Sequence, residues 1–227
     1  MPSTCWTLIK DAASGQPMAA QEFVHRYEPL ARQYLQARWR SWRGEADVDD
    51  ALQEFFIECF RDGGVLHSVN DRPGEFRPFL FGVVRNVARR FEERKRLAGL
   101  PEIDLVSDET GAGTAFDREW ARLLMKDAAR EMAEMARIAD AIVEKEPKER
   151  GRATRRVELL RQRFQDGVPI REIANQWQVD PAWLHHEYST AREEFRVALH
   201  RVVSLHQPQA TPAEVSQSCR DLLGLLG

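Results

Sequence analysis

Five carboxylates stand close together in the stretch "DVDDALQEFFIECF" at residues 47–60: Asp47, Asp49, Asp50, Glu54 and Glu58. Acid–base or metal chemistry would need such groups to converge in a pocket with a histidine or a nucleophile. One helix face cannot supply that arrangement, and no HExxH or similar spacing occurs in the chain. Two simpler readings remain: a solvated face over an apolar stripe, or a docking face on which Asp50, Gln53 and Glu54 meet a basic partner. The six histidines show no ligand spacing. His185 and His186 are adjacent, so on a helix they point about 100° apart and do not share a metal easily. Cys5, Cys59 and Cys219 form no CxxC pair and read as small buried hydrophobes in a reducing compartment. With no phosphate-cradling glycine loop after a strand, the sequence predicts neither an enzyme nor a metal or cofactor site.

The cations are more informative. Between residues 85 and 96, "RNVARRFEERKR", six basic residues (Arg85, Arg89, Arg90, Arg94, Lys95, Arg96) face two acids, Glu92 and Glu93. Phe76, Phe79, Phe81 and Phe91 flank or interleave them. Cations give a salt-dependent hold on phosphates, and a neighbouring aromatic ring can stack on an unpaired base. The competing reading is a solvated helix end whose cations suit the C-terminal dipole. A second run at 148–163 sets Lys148, Arg150, Arg152, Arg155, Arg156, Arg161 and Arg163 against Glu149 and Glu158. It leads directly into "IREIANQWQVDPAWLHHEYSTAREEFR", which has helix-turn-helix cadence. Ile170, Ile173 and Ala174 repeat at helical spacing, Val179 sits in the break, and Trp183 and Leu184 are expected to pack the second helix. That second helix has the wrong sign for DNA. From 180 to 196 it holds Arg192 and Arg196 against Asp180, Glu187, Glu193 and Glu194. Either the preceding arginines hold phosphate while His185, Ser189 and Thr190 touch a few bases, or the motif serves a protein contact.

The elements that must position these groups read as helices almost throughout. The chain has 227 residues, 30% charged and 43% hydrophobic, with a net charge of −3, so attraction to nucleic acid has to come from local patches. Periodicity predicts helices over 23–43, 47–60 (with Asp47 placed to cap the start), 77–97, 116–146, 154–165 and the two halves of the helix-turn-helix, then a short one over 213–226. Residues 61–75 read as a loop. The glycines, Pro101 and acids of 98–115 suit a flexible linker between two all-α domains, and 206–227 suits a tail. No apolar run approaches the ~20 residues of a membrane span and no signal-peptide core opens the chain, so a cytoplasmic protein is expected.

In order, the acidic helix, "GEFRPFLFGVVRNVARRFEERKR", a linker and a C-terminal helix-turn-helix resemble a bacterial sigma-70-type factor of the extracytoplasmic-function branch. "TCWTLIKDAASG", "FDREWA" and the tail "ATPAEVSQSCRDLLGLL" resemble one subgroup of that branch. The resemblance implies domain two at 1–97, domain four at 116–205, and promoter recognition on behalf of RNA polymerase. Asp47, Asp50, Gln53, Glu54 and Phe56 would contact the clamp helices of the polymerase beta-prime subunit. Residues 61–75 would capture a flipped minus-ten base. Arg77, Phe79, Arg85, Asn86, Arg89, Arg90, Arg94, Lys95 and Arg96 would hold the melted strand. Arg155, Arg156, His185, His186, Ser189, Thr190 and Arg192 would meet the minus-thirty-five element, with domain four on the beta flap. Promoter DNA, core polymerase and an anti-sigma factor or other regulator are the implied partners. The family carries several bases on its recognition helix, and this chain departs from that. A sigma-like adaptor that docks on polymerase without reading DNA is the alternative.

Overall fold

Apolar residues at helical spacing become ten α-helices in the computed structural model, which describes residues 5–40, 45–69, 76–98, 109–142 and 151–225; no strand occurs among them. In chain order they are α1 (Cys5–Ala13), α2 (Pro17–Arg38), α3 (Glu45–Phe60), α4 (Val65–Val69), α5 (Phe76–Leu97), α6 (Glu109–Ile142), α7 (Arg152–Phe164), α8 (Ile170–Trp177), α9 (Pro181–His206) and α10 (Pro212–Gly224). The chain divides into two units. The first comprises residues 1–123 and 204–227, the second 124–203.

In the first unit, α2 buries Phe23, Tyr27, Leu30, Tyr34 and Leu35, one stripe at three- and four-residue spacing. The matching stripe of α3 is Val48, Ala51, Leu52, Phe55 and Cys59, and that of α5 is Phe76, Leu80, Val84, Val87 and Phe91. Phe76 is the hub: its ring meets those of Trp6, Phe23, Tyr27 and Trp120 at centroid distances of 6.1, 6.3, 5.2 and 6.4 Å. The first three are edge-on and the Trp120 pair is tilted; aromatic pairs in such arrangements each add about 0.5–1.5 kcal/mol beyond the area they bury. A buried ion pair closes the far end of α2. The Arg38 Nε and Nη2 donate to Glu92 at 2.5 and 3.0 Å, and the Trp39 indole donates to the same carboxylate at 2.8 Å. Glu92, an acid within the basic run, is thus a strut between α2 and α5.

Several boundaries differ from the sequence reading: α1 is not among the helices it predicts, and the helix read over 23–43 runs from Pro17 to Arg38. Asp47 does not cap α3, because the helix already starts at Glu45 and Asp47 lies within its first turn. Part of the expected loop at 61–75 is the helix α4, whose five residues are too few to show a period; residues 70–75 lie outside the described ones. Residues 109–115, read as linker, are the first two turns of α6. Gly111 and Gly113 each disfavour helix by about 1 kcal/mol. Burial outweighs them: Ala112 and Phe116 are fully buried, and Phe116 meets Phe81 at 5.3 Å. The tail also belongs with the first unit. There α10 buries Val215, Cys219 and Leu222 and starts with a capping box between Thr211 and Glu214.

The second unit is built on two apolar clusters. Leu159, Ile170, Ile173, Ala174 and Leu184 form the core of the helix-turn-helix, with Val168, Trp177, Val179 and Tyr188 packed on it. Met132, Leu160, Ala191 and Ala198 join α6, α7 and α9. Asp140 of α6 caps α7 from outside, accepting the backbone N–H of Ala153 at 3.3 Å and of Thr154 at 3.0 Å, and the Thr154 hydroxyl at 2.6 Å. Between α8 and α9 the chain reverses at Gln178, which takes φ +54°. Left-handed backbone costs an L-residue about 1–2 kcal/mol. Part of that gain is offset in a glycine variant by its freer unfolded chain, so Gln178→Gly should stabilise the second unit by about 0.5–1 kcal/mol, whereas β-branched Gln178→Val should destabilise it. Denaturant midpoints for the two variants check this, and a glycine variant less stable than wild type would refute it. Right after the turn, Asp180 Oδ1 accepts the Trp183 N–H at 2.8 Å and Pro181 takes the first helical position, so α9 starts at full strength.

Candidate nucleic-acid and protein-docking surfaces

The acidic helix α3 presents Asp50, Gln53 and Ile57 outward, at spacings of three and four. Asp50 and Gln53 have no hydrogen-bond partner among the described residues, and Ile57 is 58% exposed. An exposed isoleucine between an unpaired acid and an amide suits a protein contact better than a solvated face. Sequence reasoning missed Ile57 because it attended to charge; the i, i+3, i+7 relation to Asp50 and Gln53 was the available signal. Three other residues expected on this face are otherwise engaged. Asp47 accepts from the Lys95 ammonium at 2.7 Å, Glu54 is paired with Arg94, and Phe56 is half-buried, stacked on Phe60 at 6.2 Å.

These pairings change the reading of α5 as well. Of its cations, Arg94 and Lys95 are held by Glu54 and Asp47, and Arg90 by Glu58 at 3.1 Å. Arg77 is paired with Asp117. Arg94 and Lys95 also lie over the Phe91 ring, at 5.4 and 5.3 Å from its centroid. Arg89, Arg96 and Asn86 are exposed without a partner among the described residues, and Arg85 is exposed on the same side. Arg85, Arg89 and Arg96 follow one helix stripe, turned away from α3. Phe79 is half-buried against Phe76, with its ring 6.2 Å away, so it is mainly a packing residue here.

In the second unit the acids of α9 are drawn into pairs. Glu187 is a core group, 3% exposed, on the same stripe as Leu184 and Ala191. Arg152 grips it with Nη2 at 2.6 Å and Nε at 3.1 Å, and Arg156 adds a contact at 3.4 Å. Arg156 then holds Glu194 with Nη2 at 2.5 Å and Nε at 2.8 Å. The hydrogen bonds from Arg152, set against partial burial, hold the Glu187 carboxyl below the usual carboxylate range. Asp180 caps α9, and Glu193 is paired with Arg196 at 3.0 Å. Each of the four acids is therefore spoken for within the unit. The outward surface of α9 is left with His185, His186, Ser189 and Arg192, beside the exposed Glu193–Arg196 pair.

Several expected roles shift accordingly. Arg156 has a side chain only 15% exposed and occupied by two carboxylates, so in this structure it is a strut between α7 and α9. Arg161 is similarly held by Glu158 and Asp166. Arg155 remains exposed with no partner among the described residues, as does Arg171 at the start of α8, which sequence reasoning passed over. Thr190 is half-buried and donates its hydroxyl to the His186 carbonyl at 3.2 Å, leaving Ser189 as the freer hydroxyl. Trp183 does not pack the core; only Leu184 does, since neighbouring helical residues point about 100° apart. Trp183 is 37% exposed and extends the outward surface. Lys148 and Arg150 lie outside the described residues.

Among the described residues no helix is long and apolar enough to cross a membrane. Compared with models of protein families, with curated proteins and with solved structures, the chain matches none.

Proposed function

We propose that this chain is a promoter-specificity subunit of bacterial RNA polymerase, a sigma-70-type factor of the extracytoplasmic-function kind. The observation that supports it most is the reduced negative charge of α9: Glu187 and Glu194 are taken by α7, Asp180 caps the helix and Glu193 is offset by Arg196, so the outward residues His185, His186, Ser189 and Arg192 can approach a groove. In this reading Arg155 and Arg171 hold phosphates, and His185 and Ser189 sense bases. The stripe Arg85, Arg89 and Arg96, with Asn86 beside it, holds the melted minus-ten strand. Asp50, Gln53 and Ile57 dock the clamp helices of the beta-prime subunit. The polymerase supplies the catalysis, so the chain needs only to bind.

The experiment is transcription by core polymerase with the full chain on a promoter library, with start sites mapped. Start sites sharing one minus-ten and one minus-thirty-five sequence are expected. The variant Asp50→Lys/Ile57→Lys should lose at least tenfold in core affinity while its unfolding midpoint stays near wild type, since both residues are exposed. Core binding without shared start sites would make the chain an adaptor. No core binding at all would end the reading.

A further inference from the structure

The two surfaces of the first unit are not independent. Glu54 and Glu58 on α3 occupy Arg94 and Arg90 on α5, and Asp47 occupies Lys95. Three of the cations that the sequence offers to nucleic acid are therefore bound to the same helix that carries the docking face. These pairs are partly solvent-exposed, and such pairs are weak individually, so another charged group can displace them. Resting on the reading of α5 as a nucleic-acid surface, we propose that α3 is a built-in competitor of nucleic acid. In the free protein its carboxylates occupy Arg90, Arg94 and Lys95. A partner that brings its own cations to α3 takes over those carboxylates and releases the α5 cations to phosphate.

The chemistry specifies the partner: α3 already binds guanidinium and ammonium groups, so an arginine- or lysine-bearing surface replaces like with like. Linkage makes the effect reciprocal, so nucleic acid on α5 also tightens the α3 partner by the same factor. Arg85, Arg89 and Arg96 lie outside the exchange and provide a weaker basal attraction, with Glu93 the nearest acid that is in no ion pair among the described residues. The free protein thus binds nucleic acid weakly, and the docked one strongly, without a change of fold.

The test uses the full chain alone with a labelled single-stranded DNA oligonucleotide, titrated across salt. Glu54→Gln/Glu58→Gln frees Arg90 and Arg94, together with Arg61, which Glu58 also holds at 2.7 Å, and should bind about tenfold tighter than wild type at about 50 mM salt, with a log–log salt slope steeper by about 1.4 from the two α5 arginines. Asp47→Asn, which frees Lys95 alone, should steepen the slope by about 0.7. Glu93→Gln makes the same single-charge change on α5 without breaking a pair and should shift affinity less than twofold. Adding Arg90→Gln/Arg94→Gln, with Arg61→Gln to remove the third arginine that Glu58 holds, should erase the gain of the double variant. Wild-type binding unchanged by Glu54→Gln/Glu58→Gln, a Glu93→Gln effect as large, or a gain that survives loss of the arginines would each overturn the inference alone. If neither wild type nor any variant binds the oligonucleotide even at low salt, the reading of α5 as a nucleic-acid surface falls with it.

Discussion

Glu187→Ala should lower the stability of the second unit by about 3 kcal/mol, although it removes an acid from a stretch of α9 that is net acidic in sequence. The carboxylate is 3% exposed and holds Arg152 and Arg156 against α9. Removing one member of a buried ion pair leaves the other charge desolvated, which typically costs 3–5 kcal/mol. Arg152 is 38% exposed and can return to water, whereas Arg156 is 15% exposed and cannot do so easily. The lower end of that range is therefore expected. The double variant Glu187→Met/Arg156→Met should recover most of the loss, because replacing both charges with apolar groups of similar size is often near neutral. Arg155→Ala, one residue from Arg156 but exposed and unpaired, should change stability by less than about 0.5 kcal/mol and should instead flatten the salt dependence of DNA binding by about one unit of slope. Hydrogen exchange of the amides in α7, α8 and α9 reports the unit directly. A Glu187→Ala protein whose α7 and α9 amides exchange as slowly as wild type would show that the network is not structural, and the net charge of α9 would count against DNA again.

That charge count shows where linear reading stops. The stripes of α2, α3, α5 and α8 were legible because burial repeats with the helical period: Val48, Ala51, Leu52, Phe55 and Cys59 are the inward side of α3 both in pattern and in space. The turn at Gln178–Asp180 was legible from Asp-Pro, which supplies a cap and a first helical residue together. Ion pairing was not legible, because it joins residues that the sequence separates. Glu58 and Arg90, or Arg156 and Glu194, lie on different helices, and only packing brings them within reach. One signal was present and unused: Glu187 falls three residues after Leu184 and four before Ala191, on the apolar stripe, where an acid must have a cation. The start of α6 was misread for the opposite reason. Gly111 and Gly113 make 109–115 look like linker locally, and the burial of Ala112 and Phe116 overrides them. Candidate site residues divided along lines the sequence did not show: Asp50, Gln53, Arg89, His185 and Ser189 are exposed, while Asp47 and Arg156 are held inside pairs.

Below pH 6.5 the first unit should lose stability faster than its carboxylates explain, and His206→Leu should remove the excess. His206 ends α9 with its ring 5.3 Å from that of Trp120, edge to face, and is 6% exposed. Its Nδ1 is buried with no hydrogen-bond partner among the described residues. Burial, with a smaller contribution from the Arg26 charge on α2, pushes the imidazole down to about 3. The unfolded chain protonates near 6.5. Above that value both states are neutral and the group contributes nothing to the pH dependence. As pH falls below it, the unfolded chain binds a proton that the native state refuses, so stability drops by about 1.4 kcal/mol per pH unit until the folded value is reached. Between pH 7 and pH 5 this amounts to about 2 kcal/mol. The first unit's bonded carboxylate acts lower: hydrogen bonds from the Thr211 backbone and hydroxyl hold Glu214 below its usual range, so its contribution is intact above pH 4.5 and is lost only as pH falls further. Leucine fills similar space without a buried unpaired nitrogen, so the variant should be at least as stable as wild type at pH 7. Urea unfolding of both proteins at pH 7, 6 and 5 makes the comparison, and every other histidine cancels in the difference. The two stability curves should diverge steadily below pH 6.5; curves that stay parallel to pH 5 would mean that His206 accepts its proton in the folded protein.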